Sequence, residues 1–265
     1  MQRLILARWW MGWAAAWIAL SALEAAAIGP LSPVLSFCIT FVVVCAVLVG
    51  VHGRAGALPR RSLGLFVALG AAVAAPFTLN ALDASPSLAA FMRGGLALTA
   101  SAWLGAALGR GMQSAAHLWP LVIVALSADL WSVTSPSGVT AQLLTESTTE
   151  TLSLMALNAP AAGLGLVPVL GLGDVVFVGF LSGACAAVGL PLRRAGFGIA
   201  AGLAACLVAL VALQVPVPAL VFIGPLCAVA LGRAVLPRPA DLALAAVVAA
   251  LPWLAQCCRV SGPLR

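Results

Sequence analysis

The chain is a succession of long apolar runs separated by short polar stretches. A helix that crosses the hydrocarbon core of a bilayer needs about 20 mostly apolar residues. Runs of that kind fall at 9–28, 33–51, 62–82, 91–109, 114–133, 168–190, 197–214, 218–236 and 240–257, so the pattern predicts nine spans. The connecting loops are short, with one exception at 134–157, which is rich in Ser and Thr and carries Glu146 and Glu150. The first run follows Arg3 and Arg8 and ends in Ala25-Ala26-Ala27, features that a cleaved signal peptide shares. An apolar stretch of roughly 19 residues is long for a signal core and reads as a retained helix. No internal repeat and no long linker stands out.

Composition agrees with the pattern. Hydrophobic residues make up 63% of the 265, charged residues 8%, and the mean hydropathy is +1.16. A soluble domain carries about 25% charged residues. This chain has too little polar surface for one, and an all-α multi-pass membrane protein is expected. The net charge of +6 comes from Arg alone, since there is no Lys. The arginines are scattered between the apolar runs and form no basic face, so a nucleic-acid partner is not expected.

Their distribution orients the spans. With the N-terminus inside, the inner loops hold Arg3, Arg8, Arg54, Arg60, Arg61, Arg110, Arg193, Arg194, Arg233 and Arg238, against Arg93, Arg259 and Arg265 outside. Ten against three is a strong positive-inside bias. The expected topology is N-in and C-out in the cell membrane, with loop 134–157 outside. The seven cysteines include no CxxC pair and no His at metal-ligand spacing. Most lie within apolar runs, where Cys behaves as a small hydrophobe.

Among the seven acids, Glu24, Asp83, Glu146, Glu150 and Asp241 fall in loops or near helix ends. Asp129 and Asp174 do not. Each lies inside an apolar run that offers no Arg to pair with. An ionised carboxylate at membrane depth costs about 2.5–3.5 kcal/mol on insertion scales, which marks both as candidates for function. In the expected topology the two runs are antiparallel and place both residues roughly 6–9 Å below the outer boundary. Gly171 and Gly173 lack the Cβ atoms that would hinder approach to Asp174. Two carboxyls that meet there share a proton over a wide pH range. One would then act as general base on water and the other as general acid.

Three elements resemble the presenilin and signal peptide peptidase family of intramembrane aspartyl proteases, in the family's order. Ala128-Asp129-Leu130 is followed by Ser135-Pro136-Ser137-Gly138 and a polar loop; Gly171-Leu172-Gly173-Asp174 matches GxGD; Pro218-Ala219-Leu220 matches PAL. The resemblance covers roughly 115–236. It divides the chain into an N-terminal bundle at 1–112, catalytic helices at 113–239, and an added helix and tail at 240–265. It departs from the family in having Ala128 where a Tyr is usual, and four predicted helices before the first aspartate where the family has five.

The resemblance implies an aspartic endopeptidase that needs no cofactor. Asp129 and Asp174 would be catalytic, and Gly171, Leu172, Gly173, Pro218, Ala219 and Leu220 would contact substrate. The partner would be a single transmembrane peptide in the lipid bilayer, locally unwound before cleavage. The stretch 162–168, rich in Gly and closed by Pro168, is a poor helix and a candidate edge for pairing with the unwound segment. Pro216 and Pro218 would make the PAL helix start irregular and leave carbonyls free. The expected orientation matches signal peptide peptidase, which implies substrates with a cytoplasmic N-terminus such as leftover signal peptides.

Other chemistries fit less well. No HExxH occurs, so zinc proteolysis has no ligand set. His52 and His117 lie at loop edges and are expected to be solvated, leaving Ser182 without a core His for serine proteolysis. A prepilin-peptidase-like enzyme would explain GxGD but not PAL. A proton-coupled transporter would use buried Asp residues, yet would call for polar residues across the whole membrane.

Overall fold

The computed structural model describes residues 2–26, 32–55, 86–138, 140–142, 155–214 and 217–260. In chain order the helices are α1 (Gln2–Ala25), α2 (Pro33–Ala55), α3 (Pro86–Gly109) and α4 (Leu118–Thr134). A hairpin of β1 (Ala156–Ala161) and β2 (Gly165–Gly171) follows, then α5 (Leu172–Ala187), α6 (Leu192–Leu213), α7 (Leu220–Leu231) and α8 (Pro239–Val260). Short 3-10 turns precede α4 at Ala115–His117 and follow α7 at Gly232–Val235.

Four stretches are long and apolar enough to cross a membrane: Pro33–His52, Ala115–Thr134, Leu192–Leu213 and Pro239–Gln256. That is four among the described residues, not nine, and the shortfall has local causes. The run expected at 168–190 gives its first residues to β2, leaving 16 for α5. The run at 218–236 opens on Pro-Ala and closes in a 3-10 turn, leaving 12 for α7. Helices α1 and α3 have 24 residues each. They are less apolar, however, with Arg8 and four Trp in one and Arg93 among glycines in the other. The span expected at 62–82 lies outside the described residues.

Lipid gives helices no hydrophobic reason to associate, so close packing must hold them together. Small residues supply it here. On α3, a Cβ at Gly105 or Gly109 would run into the backbone of α5 at Val176 and Phe180; on α5, one at Gly179 or Gly183 would run into α3 at Ala102 and Ala106. Two GxxxG faces thus interlock. The same device joins α6 to α7, where Gly198 and Gly202 lie against the backbone at Cys227 and Ile223.

The structure is mostly helical, as expected, with one hairpin added to the helices. β1 and β2 pair antiparallel from Ala156↔Gly171 to Ala161↔Gly165, with an irregularity between Leu157 and Asn158. The reversal uses Gly163 and Gly165 at φ 73° and 71°, a region that strains other residues. β1 is buried against α1, α2 and α3, and Thr40 Oγ1 of α2 donates to the Pro160 carbonyl at 3.0 Å. β2 is more open, with Leu166 and Pro168 exposed. Among the described residues the edge of β2 away from β1 has no strand beside it.

Candidate functional site

β2 runs directly into α5, and Asp174 sits at that junction. Gly171 is the last strand residue and also the helix N-cap, with φ −65° and ψ 145°. Asp174 is therefore the third helical residue, in the first turn and not deep in a span. Its carboxylate folds back to accept the Gly171 N–H, which satisfies one of the donors that a helix start leaves orphaned. A Cβ at Gly171 would stand 3.2 Å from Asp174 Oδ2, whereas one at Gly173 would meet nothing within 4 Å. Gly171 makes room for the aspartate's own carboxyl, and Gly173 borders open space.

Asp129 is half-buried on α4, five residues before its end, and Ala128 beside it is exposed. Asp129 shares a helix face with Val122, seven residues earlier. That face looks toward α7 and α5, because a Cβ at Gly224 would lie 2.8 Å from Val122 Cγ1 and 3.6 Å from Phe177. Phe177 in turn is one turn beyond Asp174 on α5. α7 packs on α4 and touches α5, acting as a wedge between the two aspartate helices. The two carboxyls are close enough for their charges to repel each other.

After α4 the chain turns at Ser135–Gly138, where the Gly138 N–H donates to the Ser135 carbonyl at 2.8 Å. Ser132 and Thr140 hydroxyls then meet at 2.8 Å, folding the start of the polar loop back on the helix. The rest of that loop up to residue 154 is outside the described residues.

The PAL residues approach Asp174 through a cysteine. Cys206 on α6 and Cys45 on α2 both lie within electrostatic reach of the Asp174 carboxyl. The Cys206 thiol donates weakly to the Val217 carbonyl at 3.9 Å, immediately before Pro218. Ala219 is buried, while Pro218 and Leu220 are half-buried. The carbonyls of this start are not left free as expected: Pro218 accepts from Val221 N–H at 3.3 Å, and Ala219 from Phe222 and Ile223 at 3.0 Å. Pro216 is outside the described residues.

Nothing in the spacing of either thiol sets it apart in the sequence from a core cysteine. His52, expected to be solvated, is instead 1% exposed. The helix α2 simply continues past the apolar run and carries the ring into the core beside Gly196. Ser182 is fully buried too, and its hydroxyl donates to the His52 carbonyl at 2.6 Å. A core His therefore does adjoin Ser182, but the serine bonds its main chain and not its ring. His117 is exposed. Among the described residues no three His, Cys, Asp or Glu gather as a metal site would require. No family model, curated protein or solved structure matches the chain.

Proposed function

We propose that this protein is an intramembrane aspartyl protease of the presenilin and signal peptide peptidase type. What supports the reading is that the Asp129 and Asp174 carboxyls lie within electrostatic range of each other, with Asp174 just beyond the end of an open-edged strand. In the proposed reaction one carboxyl is ionised and the other protonated. The ionised one takes a proton from water as the water oxygen bonds to the peptide carbon, while the protonated one donates to the carbonyl oxygen. The resulting gem-diol collapses, the C–N bond breaks, and the leaving amine takes up a proton. The products are a carboxylic acid and an amine.

The substrate segment must be extended at the cleaved bond, and β2 supplies a template for that shape. Its free edge would pair with the unwound chain by main-chain hydrogen bonds. The open space beside Gly173 would receive the substrate backbone, with Leu172 and Pro218-Ala219-Leu220 lining the approach. In this reading the N-terminus is cytoplasmic, and the arginine distribution supports that orientation. Transmembrane peptides with a cytoplasmic N-terminus, including leftover signal peptides, are the proposed substrates.

The test is direct. Purified protein in detergent is mixed with a synthetic transmembrane peptide and the products are read by mass spectrometry. New termini inside the apolar segment, blocked by a hydroxyl-containing peptide isostere, are expected. No cleavage, together with proton-linked solute uptake in proteoliposomes, would replace this reading with a transporter. The glycines offer a finer check. Gly171→Ala should leave the melting temperature within a few degrees of wild type yet lower cleavage at least about tenfold, because the carboxylate must shift by tenths of an ångström. Gly173→Ala should fold equally well, and any loss of cleavage there should appear in KM.

A further inference from the structure

Helix α8 lies outside the part of the chain that the motifs cover, yet it bears on the candidate site. It packs on α4 and makes no comparable contact with another helix among the described residues. Much of its remaining surface is apolar and exposed, including Leu244, Val247, Leu251 and Leu254. The join is made by one hydroxyl. Ser127 Oγ donates to the Ala249 carbonyl at 2.6 Å and accepts from Trp253 Nε1 at 3.1 Å. Both partners belong to one turn of α8, beside Pro252, which interrupts that helix's own hydrogen bonding.

A Ser or Thr within an apolar helix usually bonds back to a carbonyl of its own preceding turn. Thr99 and Thr134 do so here, to Gly95 and Leu130 at 2.8 and 2.7 Å. Ser127 instead directs both donor and acceptor to a neighbouring helix. It also stands two residues before Asp129, about 200° away around α4 at roughly 3.6 residues per turn. One face of α4 is therefore fastened to α8, and the opposite face carries Asp129 and Val122 toward α5 and α7. Rotation of α4 about its own axis would turn the aspartate away from its partner, and the Ser127 bonds oppose that rotation.

We infer that Ser127 is a positioning residue, through which α8 fixes the rotation of α4 and so aims Asp129 at Asp174. The inference rests on the protease reading for its kinetic consequence but not for its geometric one. The experiment measures both on the full-length protein. Ser127→Ala, Ser127→Thr and Trp253→Phe are assayed for cleavage of a transmembrane peptide. In parallel, orthogonal spin labels carried by unnatural amino acids at Ala128 and Gly173 report the distance between the two helices.

Ser127→Ala is expected to lower kcat on the order of ten- to a hundredfold with KM unchanged. It should also broaden the distance distribution, while Ser127→Thr restores most of both. If Ser127→Ala does not fold, Trp253→Phe, which removes one of the two bonds, is read in its place. An unchanged distance distribution, or a change confined to KM, overturns the inference. If the wild type cleaves nothing, the protease reading fails on its own, and the spin-label result still decides whether Ser127 sets the angle of α4.

Discussion

Asp174→Asn is expected to reduce cleavage by on the order of 10⁴-fold or more, and Asp129→Asn to do the same. The reason lies in the division of labour proposed for the pair. With one amide in place of a carboxyl, the site can hold a base or an acid but not both, and a single proton cannot pass between them. Because the two act as a unit, the double variant should be scarcely worse than either single one. Stability should move little, since an Asn side chain at 174 still offers a carbonyl oxygen to the Gly171 N–H. A neutral amide is also less costly than a carboxylate at membrane depth. The measurement is single-turnover cleavage of a transmembrane peptide, alongside melting temperatures in detergent. Two single losses that multiply in the double variant would mean independent roles, and the shared-proton mechanism would have to be abandoned.

The largest effect on stability is expected at Gly179→Leu. There the α5 backbone meets the α3 backbone at Ala102, and no side chain stands between them that could move aside. Any Cβ forces the helices apart, and a Leu would unlock all four glycines of that face together. Overpacking of a well-packed interface typically costs about 1–3 kcal/mol, and a backbone contact with no freedom to relax lies at the top of that range or beyond. Gly12→Leu is the matched control, because a Cβ at Gly12 meets nothing within 4 Å. Size-exclusion profiles and thermal unfolding in detergent should show the first variant aggregated or strongly destabilised and the second close to wild type. A Gly179→Leu protein as stable as wild type would mean that α3 and α5 are not in contact in solution.

Much of this was legible in the chain. Apolar runs mark where the described helices lie, though not how many are long enough to cross a membrane, and the scarcity of acids makes Asp129 and Asp174 conspicuous without any motif. The hairpin was legible only in part. Gly163, Gly165 and Pro168 announced a poor helix, but a short apolar run such as Leu166–Leu170 has no periodicity to separate a strand from a buried helix. That ambiguity carried the expected helix back to 168 and set Asp174 too far inside it. The burial of His52 is not legible, because a polar residue at the end of a hydrophobic run looks like an exit to water. The Ser127 bonds are hidden for a different reason, since a hydroxyl that serves another helix has the same sequence signature as one that serves its own.

The continuity of β2 with α5 sets a geometric rule for the proposed reaction. No linker separates the strand from the helix: Gly171 closes one and opens the other, so template and carboxylate move as a single rigid ruler. A substrate laid on that ruler can slide only in steps that keep the same side chains facing the same way, and in an extended chain that step is two residues. Products from a ragged cut should therefore differ in length by even numbers, with odd-numbered fragments scarce.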